Sequence, residues 1–146
     1  HRDIYPRFAN LPPGDFRDLV RRARRRQISE DTNVTTEGAA LGHLIYVISG
    51  DVQVEKRGEA FSMPAQVFVG EGAYMTHQPS AATTHLAAGA EILEWDVGEL
   101  RIRSARKARF KLALEAMISS DLARKVSYAV APQSGPWRAS EVLAEA

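Results

Sequence analysis

The sequence contains no cysteine, and histidine is scarce. Without cysteine the protein has no disulfide, no thiolate nucleophile and no cysteine-based metal site. A metalloenzyme built on a jelly roll needs paired histidines on one strand, but no His-x-His pair occurs among His1, His43, His77 and His85. No spacing of serine, histidine and aspartate and no close pair of carboxylates indicates a hydrolase either. The sequence therefore predicts a protein that is not an enzyme and holds no metal.

Long hydrophobic runs and an excess of one charge are also missing. The 19 Lys and Arg residues face 18 Asp and Glu residues, a formal net charge of +1, so the overall balance predicts neither a nucleic-acid partner nor an acidic substrate. No apolar run of about 18 residues could span a membrane, and no signal-peptide pattern occurs. We therefore expect a cytoplasmic location. Because the chain begins with His1 rather than Met, we expect an excised piece, such as the cytoplasmic domain of a membrane protein, with membrane segments or partner domains outside it.

Short apolar or alternating stretches in the middle of the chain predict β-strands. They are rich in β-branched and aromatic residues, or alternate with a period of two, and cover residues 44–48, 52–56, 60–63, 83–88 and 92–95. Many short strands separated by glycine turns are typical of a sandwich or jelly roll. The predicted fold class is mainly β with flanking α, an antiparallel β-roll with an N-terminal helix and C-terminal helices.

An amphipathic helix is predicted before the strands. Asp15 is its expected N-cap, and the apolar positions recur at helical spacing at Phe16, Leu19, Val20 and Ala23. The opposite face is rich in arginine from residue 17 to residue 26. Two interpretations of this basic face stay open, a solvated surface or a docking surface for an acidic partner or anionic lipid headgroups.

Two more helices are predicted after the strands. Ser104 is the expected cap of the first, and the polar residues 119–121 predict a break that would act as a hinge before the second. The apolar face of the first helix, if wider than one barrel covers, would pair two protomers, so we expect a homodimer through the C-terminal helices. Residues 1–130 form the predicted domain and 131–146 a loose tail. The residues of the apolar face are Phe110, Ala113, Leu114, Met117 and Ile118.

The most informative stretch runs from Phe68 to Thr84. Gly70 and Gly72 flank Glu71, and glycines let the backbone turn tightly so that amide N–H groups converge into an anion site. Glu71 is placed to accept a hydrogen bond from a sugar hydroxyl. With the small residues that follow, these groups suit a phosphorylated ribose. The alternative is a plain glycine turn that carries a solvated carboxylate.

This stretch resembles the phosphate-binding cassette of the cyclic nucleotide-binding domain family. The family pattern is Gly-Glu, a short helix and then Pro-Arg-Ala-Ala-Thr, which Gly70-Glu71 and residues 79–83 match. Ser80 departs from it, standing where the family's arginine pairs with the cyclic phosphate. The resemblance covers about residues 5–127. The flanks at 92–95 and 120–126 are most similar to the bacterial-type Popeye domain, which also dispenses with the arginine, although its Asp-Ser-Pro-Glu cassette is absent here.

The resemblance implies a regulatory sensor domain that binds a cyclic nucleotide such as cAMP and relays binding through its C-terminal helices. Backbone N–H groups at Gly70, Gly72 and Ala73 would bind the phosphate, and Glu71 would hold the ribose 2′-hydroxyl. The ligand is a partner of the chain, and no cofactor is expected. The full set of expected ligand-binding residues is Val69, Gly70, Glu71, Gly72, Ala73, Ser80, Ala81, Ala82 and Thr83.

Two further expectations concern DNA binding and an alternative function. The residues after the helices hold no helix-turn-helix pattern, so no DNA contact is expected through this chain. The second function that stays open is a degenerate module for protein interaction or oligomerisation without a ligand. It follows from Ser80, because a charge-assisted hydrogen bond contributes about 1.5–3 kcal/mol that serine cannot replace.

Overall fold

The computed structural model describes residues 3–8 and 11–130, with side chains as far as residue 122. A 3-10 turn at Tyr5–Phe8 precedes the helices α1 Pro13–Arg21, α2 Glu71–Thr76, α3 Val97–Arg106 and α4 Ala108–Val130. The strands are β1 Arg24–Gln27, β2 Thr32–Thr35, β3 His43–Ser49, β4 Val52–Lys56, β5 Glu59–Met63, β6 Val67–Val69, β7 Thr83–Leu86 and β8 Glu91–Asp96.

The strands form two antiparallel sheets of four, in the orders β1-β8-β3-β6 and β2-β7-β4-β5. In β4, Val52 and Val54 are buried while Gln53 and Glu55 are exposed, as the alternation predicts. The predicted fold class, an antiparallel β-roll with helices before and after the strands, is confirmed. The short α2 interrupts the strand series between β6 and β7 and is the element that positions the candidate site.

The central part of β3 is continuously apolar because both faces of the strand are buried. Ile45 and Val47 point into the space between the sheets, whereas Leu44 and Tyr46 belong to a second core beneath the helices. Both faces of the strand are therefore covered, so no polar residue alternates along it. Trp95 of β8 lies in the second core, where its indole N–H donates to the Leu19 carbonyl at 2.8 Å and joins the sheet to α1.

The N-terminal helix is present, but its bounds differ from the prediction. It begins at Pro13, whose fixed φ suits the first turn of a helix, so Asp15 lies inside that turn and accepts from Arg109 at 2.8 Å instead of capping. The helix ends at Arg21, and Arg24–Gln27 form β1 paired with β8. The helical assignment of residues 24–26 is therefore wrong.

Much of the arginine-rich run is paired with carboxylates. Arg25 contacts Glu91 at 3.0 Å, and Arg26 contacts Glu94 at 2.8 Å. At the end of α1, Arg21 lies 3.2 Å from Asp18. Partly exposed pairs of this kind contribute about 0–1 kcal/mol each. Their main consequence is that much of the charge of the predicted basic face is neutralised within the chain.

The C-terminal helices also differ from the prediction. Ser104 lies within α3, and the cap of that helix is Asp96, whose carboxylate accepts from the Glu99 N–H at 2.9 Å. The helices separate at Lys107, which has an extended backbone. Helix α4 then continues through residues 119–121, so the predicted hinge there is wrong. Asp121 is tolerated in the helix because it is buried and accepts the Phe68 N–H at 3.1 Å.

The apolar face of α4 is covered by the chain itself. Phe110, Leu114, Met117 and Ile118 are all buried in the core beneath the helices. The expectation that this face is wider than one barrel covers is therefore wrong, and these side chains have no surface left for a second protomer. The predicted tail at 131–146 lies outside the described residues, and the domain boundary at residue 130 stays a prediction. Within the described part of the chain, no helix combines the length and apolarity that crossing a bilayer requires.

Candidate ligand site

The predicted cassette forms a strand-turn-helix. Strand β6 ends at Val69, Gly70 adopts a left-handed backbone with φ of 92°, and Glu71 begins α2. The helix includes Gly72 and Ala73 and ends at Thr76. Because α2 begins at this turn, the first amide N–H groups of the helix have no acceptor within the helix. Gly72 lies inside the helix and not in the turn, and the predicted anion site stays a prediction.

Gly70 is required at this turn for two reasons. Its positive φ is a conformation that residues with a Cβ rarely adopt. In addition, a Cβ built at this position would lie 2.6 Å from Cδ1 of Leu41. The side chain of Leu41, in the loop between β2 and β3, therefore covers the turn.

This arrangement predicts the behaviour of two substitutions. Gly70→Ala is expected to lower the free energy of unfolding by about 1–3 kcal/mol, because it adds backbone strain and a clash. Leu41→Ala should remove the clash but not the strain, so the double variant should recover part of the loss relative to the sum of the single variants. Urea unfolding of the four proteins measures the coupling. Additive losses would contradict contact between Leu41 and the turn.

Glu71 is fully buried, at 0% exposure. The alternative of a solvated loop carboxylate is therefore wrong. Its position in the first turn of α2 is favourable for a negative charge. Burying a charged group is nonetheless expensive unless hydrogen bonds or opposite charges compensate it. A buried carboxylate at a sharp glycine turn is thus a specialised feature of this fold.

The second half of the cassette is held by the loop at residues 36–42. The Ser80 N–H donates to the Ala39 carbonyl at 2.9 Å, and the Gly38 N–H donates to the Ser80 carbonyl at 2.8 Å. The Thr83 hydroxyl oxygen accepts from the Glu37 N–H at 3.0 Å. Leu41 of the same loop contacts Gly70. The loop therefore packs against both halves of the cassette.

The expected ligand-binding residues differ in exposure. Gly72, Ala81 and Thr83 keep exposed surface, whereas the other six are buried. Ser80 is only 6% exposed. The pattern leaves the backbone around Gly72 and the end of the small-residue wall accessible. The buried residues are Val69, Gly70, Glu71, Ala73, Ser80 and Ala82.

Two residues that the sequence did not indicate connect the cassette to the helices. The Arg101 guanidinium of α3 donates to the Tyr74 carbonyl at 3.1 Å and lies 4.4 Å from the centre of the Tyr74 ring. Asp121 of α4 binds the Phe68 N–H, two residues before Gly70. Both ends of the β6–α2 segment are thus tied to the C-terminal helices. Only the spatial proximity identifies these contacts, because the partners are 27 and 53 residues apart in the sequence.

The described residues contain no cluster of three or more histidine, aspartate or glutamate side chains placed to hold a metal ion. The site consists instead of backbone amides, one buried carboxylate, small side chains and the covering loop. Such groups can bind a ligand through hydrogen bonds, with hydroxyl and anionic groups as the natural partners.

Comparison with solved structures identifies the architecture. A cyclic nucleotide-binding domain from Methylobacillus flagellatus superposes with a TM-score of 0.68 at 15% sequence identity, covering 86% of this chain and 75% of that one. The fold is that of a cyclic nucleotide-binding domain. cAMP-bound PfPKA-R has the same fold, with a TM-score of 0.66 at 16% identity, covering 96% of this chain and 43% of that one.

Sequence comparisons are less informative than the fold. No family model matches the chain. A protein of Rhodopseudomonas palustris that is described as a potassium channel is 22% identical over 134 residues, which cover 89% of this chain. The match spans 32% of that protein, about a third of its length. This chain is therefore similar to one part of a longer protein.

Proposed function

We propose that this chain is a regulatory sensor domain that binds a cyclic nucleotide, cAMP or a close analogue, in the cassette. The observation that carries the proposal is Glu71, a fully buried carboxylate beside the left-handed Gly70, within a cyclic nucleotide-binding fold. The name of one similar structure, cAMP-bound PfPKA-R, supports cAMP as the first ligand to test.

Each half of the cassette has a role in this proposal. Amide N–H groups at Gly70, Gly72 and Ala73 bind the cyclic phosphate, and the Glu71 carboxylate accepts a hydrogen bond from the ribose 2′-hydroxyl. Ser80 and its neighbours supply neutral contacts where the family pattern has arginine. The absence of that arginine supports a Popeye-like variant of the site. Without the cation, binding is expected to be about ten- to a hundredfold weaker than with it.

The relay to the C-terminal helices uses the two contacts described above. A ligand that shifts α2 moves the Tyr74 carbonyl, which Arg101 of α3 holds, while Asp121 of α4 holds the strand before the cassette. The relative described as a potassium channel supports a place for this domain within a larger membrane protein, on its cytoplasmic side. If two copies associate through their C-terminal helices, the exposed Ile102 and Leu112 are apolar side chains available for the contact.

Titration calorimetry with cAMP and with cGMP tests the proposal. The parent chain is expected to bind at least one of them, and Glu71→Gln should weaken that binding about tenfold or more by removing a charged acceptor. Glu59→Gln is the matched control, since Glu59 is exposed on β5. Thermal unfolding of each variant separates a lost contact from a lost fold. No binding at millimolar nucleotide, or equal binding by Glu71→Gln, would overturn the proposal.

One observation favours the second function, an interaction module without a ligand. The Ser80 backbone is bound at both its N–H and its carbonyl by the loop at 36–42, and the side chain is nearly covered. In that case the loop stays closed over the cassette and prevents a nucleotide from binding there. A flat titration with both nucleotides would favour this function.

A further inference from the structure

A separate cleft of about 270 Å³ lies behind α2, where that helix meets α3 and α4. Tyr74, Met75 and His77 contribute from the end of α2, with Arg101 and Lys111 from the other two helices. The expected cassette residues are absent from its lining. It is therefore a second concave surface, at the opposite end of α2 from Gly70 and Glu71.

The lining of the cleft carries more positive than negative charge. Arginines elsewhere, such as Arg25 and Arg26, lie at about 3 Å from carboxylates. Among the described residues, no carboxylate lies within 4 Å of the charged nitrogens of Arg101 or Lys111. Glu115 also lines the cleft, so the lining combines two cations with one anion. An anionic group is the complementary ligand, oriented toward Arg101 and Lys111.

The Arg101 guanidinium is already positioned for such a group. It is stacked on the Tyr74 ring at 4.4 Å and donates one N–H to the Tyr74 carbonyl at 3.1 Å. Its other terminal nitrogen lies 3.5 Å from Nε2 of His77. A guanidinium held this way loses little side-chain freedom when it binds a carboxylate or phosphate.

The same cleft has an apolar part. Met75 is 41% exposed, one of the few large apolar side chains in the described residues that are exposed to this extent. Leu114 and the Tyr74 ring also line the cleft, although both side chains are almost fully buried. Burial of the Tyr74 phenol raises its pKa, so the hydroxyl stays neutral and does not repel an anion at physiological pH.

From this combination we infer that the cleft is a ligand site of its own, for a small organic anion that has an apolar ring beside its charged group. The ring would cover Met75, and the anionic group would bind Arg101 and Lys111. The inference does not require the cassette to bind a nucleotide. If both sites are occupied, they communicate through α2, because Arg101 holds the carbonyl of Tyr74 on that helix.

The test is an NMR titration of the chain with two matched probes, 1-naphthoate and the uncharged 1-naphthamide. Naphthoate is expected to shift the backbone amide signals of Tyr74, Met75 and Leu114 saturably. Naphthamide, with the same ring and no charge, should bind at least about tenfold more weakly. Lys111→Glu should weaken naphthoate binding about tenfold and leave naphthamide nearly unchanged.

The control variant is Lys107→Glu, which makes the same charge change at an exposed position outside the cleft lining. It should retain naphthoate binding. Equal binding of the two probes, equal losses in both lysine variants, or signals that shift elsewhere in the chain would each overturn the inference. The Glu71→Gln variant distinguishes the cleft from the cassette, because this substitution should leave naphthoate binding unchanged.

Discussion

Replacing Trp95 with alanine is expected to lower the free energy of unfolding by about 3–5 kcal/mol. Trp95 is 1% exposed, its ring lies 6.0 Å from that of Phe68, and its N–H binds the Leu19 carbonyl. The substitution leaves a cavity between the sheet and α1 and removes the indole hydrogen bond, while the Leu19 carbonyl keeps the Arg22 N–H at 3.2 Å. Urea-induced unfolding measures the loss.

Trp95→Phe separates the two contributions. It keeps most of the ring volume but removes the indole N–H, so a smaller loss of about 0.5–1.5 kcal/mol is expected from the lost hydrogen bond to the Leu19 carbonyl, which keeps the Arg22 N–H. Ile102→Ala, on the exposed side of α3, should change stability by less than about 0.5 kcal/mol. A loss for Trp95→Ala no greater than that of the surface control would contradict the description of the core.

Ser80→Arg is expected to strengthen binding of the cyclic nucleotide about tenfold or more, by adding a cation that reaches the phosphate. The gain should decrease with added salt, because the site keeps exposed surface around Gly72 and Thr83. Stability should fall by about 1–3 kcal/mol, since a long side chain replaces a small one beneath the loop at 36–42. Calorimetry at two salt concentrations and thermal unfolding measure both effects.

Two controls make this result specific. Ser80→Gln adds volume without charge. It should lower stability as Ser80→Arg does, but it should not strengthen nucleotide binding. Ala81→Arg places the same charge on an exposed neighbour, and should raise affinity less than Ser80→Arg. Equal gains from arginine at both positions would indicate general attraction of the anion rather than a contact from position 80. No measurable binding in either the parent or Ser80→Arg would favour the interaction module.

Local sequence patterns were sufficient for strands β3, β4, β5, β7 and β8. The alternation at Val52 and Val54 predicts β4, and the continuous apolar run predicts β3, because each pattern depends on neighbours in the same strand. The turn at Gly70 was also predictable from local sequence, because glycine by itself allows the positive φ that the turn has.

The errors occur where distant residues decide the structure. Arg25 and Arg26 fit a helical basic face, but they form a strand whose partners Glu91 and Glu94 lie 66 and 68 residues further along the chain. Asp121 looks like a helix breaker until the Phe68 N–H, 53 residues away, is known. The covering loop over the cassette was missed for the same reason, because its hydrogen bonds to Ser80 are long-range.

The contact between Asp121 and Phe68 affects whether two molecules of this protein can associate through a sheet edge. Strand β6 is at the end of its sheet, and an end strand offers unpaired N–H groups to which another chain can add a strand. Asp121 accepts one of these N–H groups and, being on α4, places a helix beside the strand. Helix α4 thus protects this sheet edge, and it opposes aggregation through β6 whether or not the domain ever binds a nucleotide.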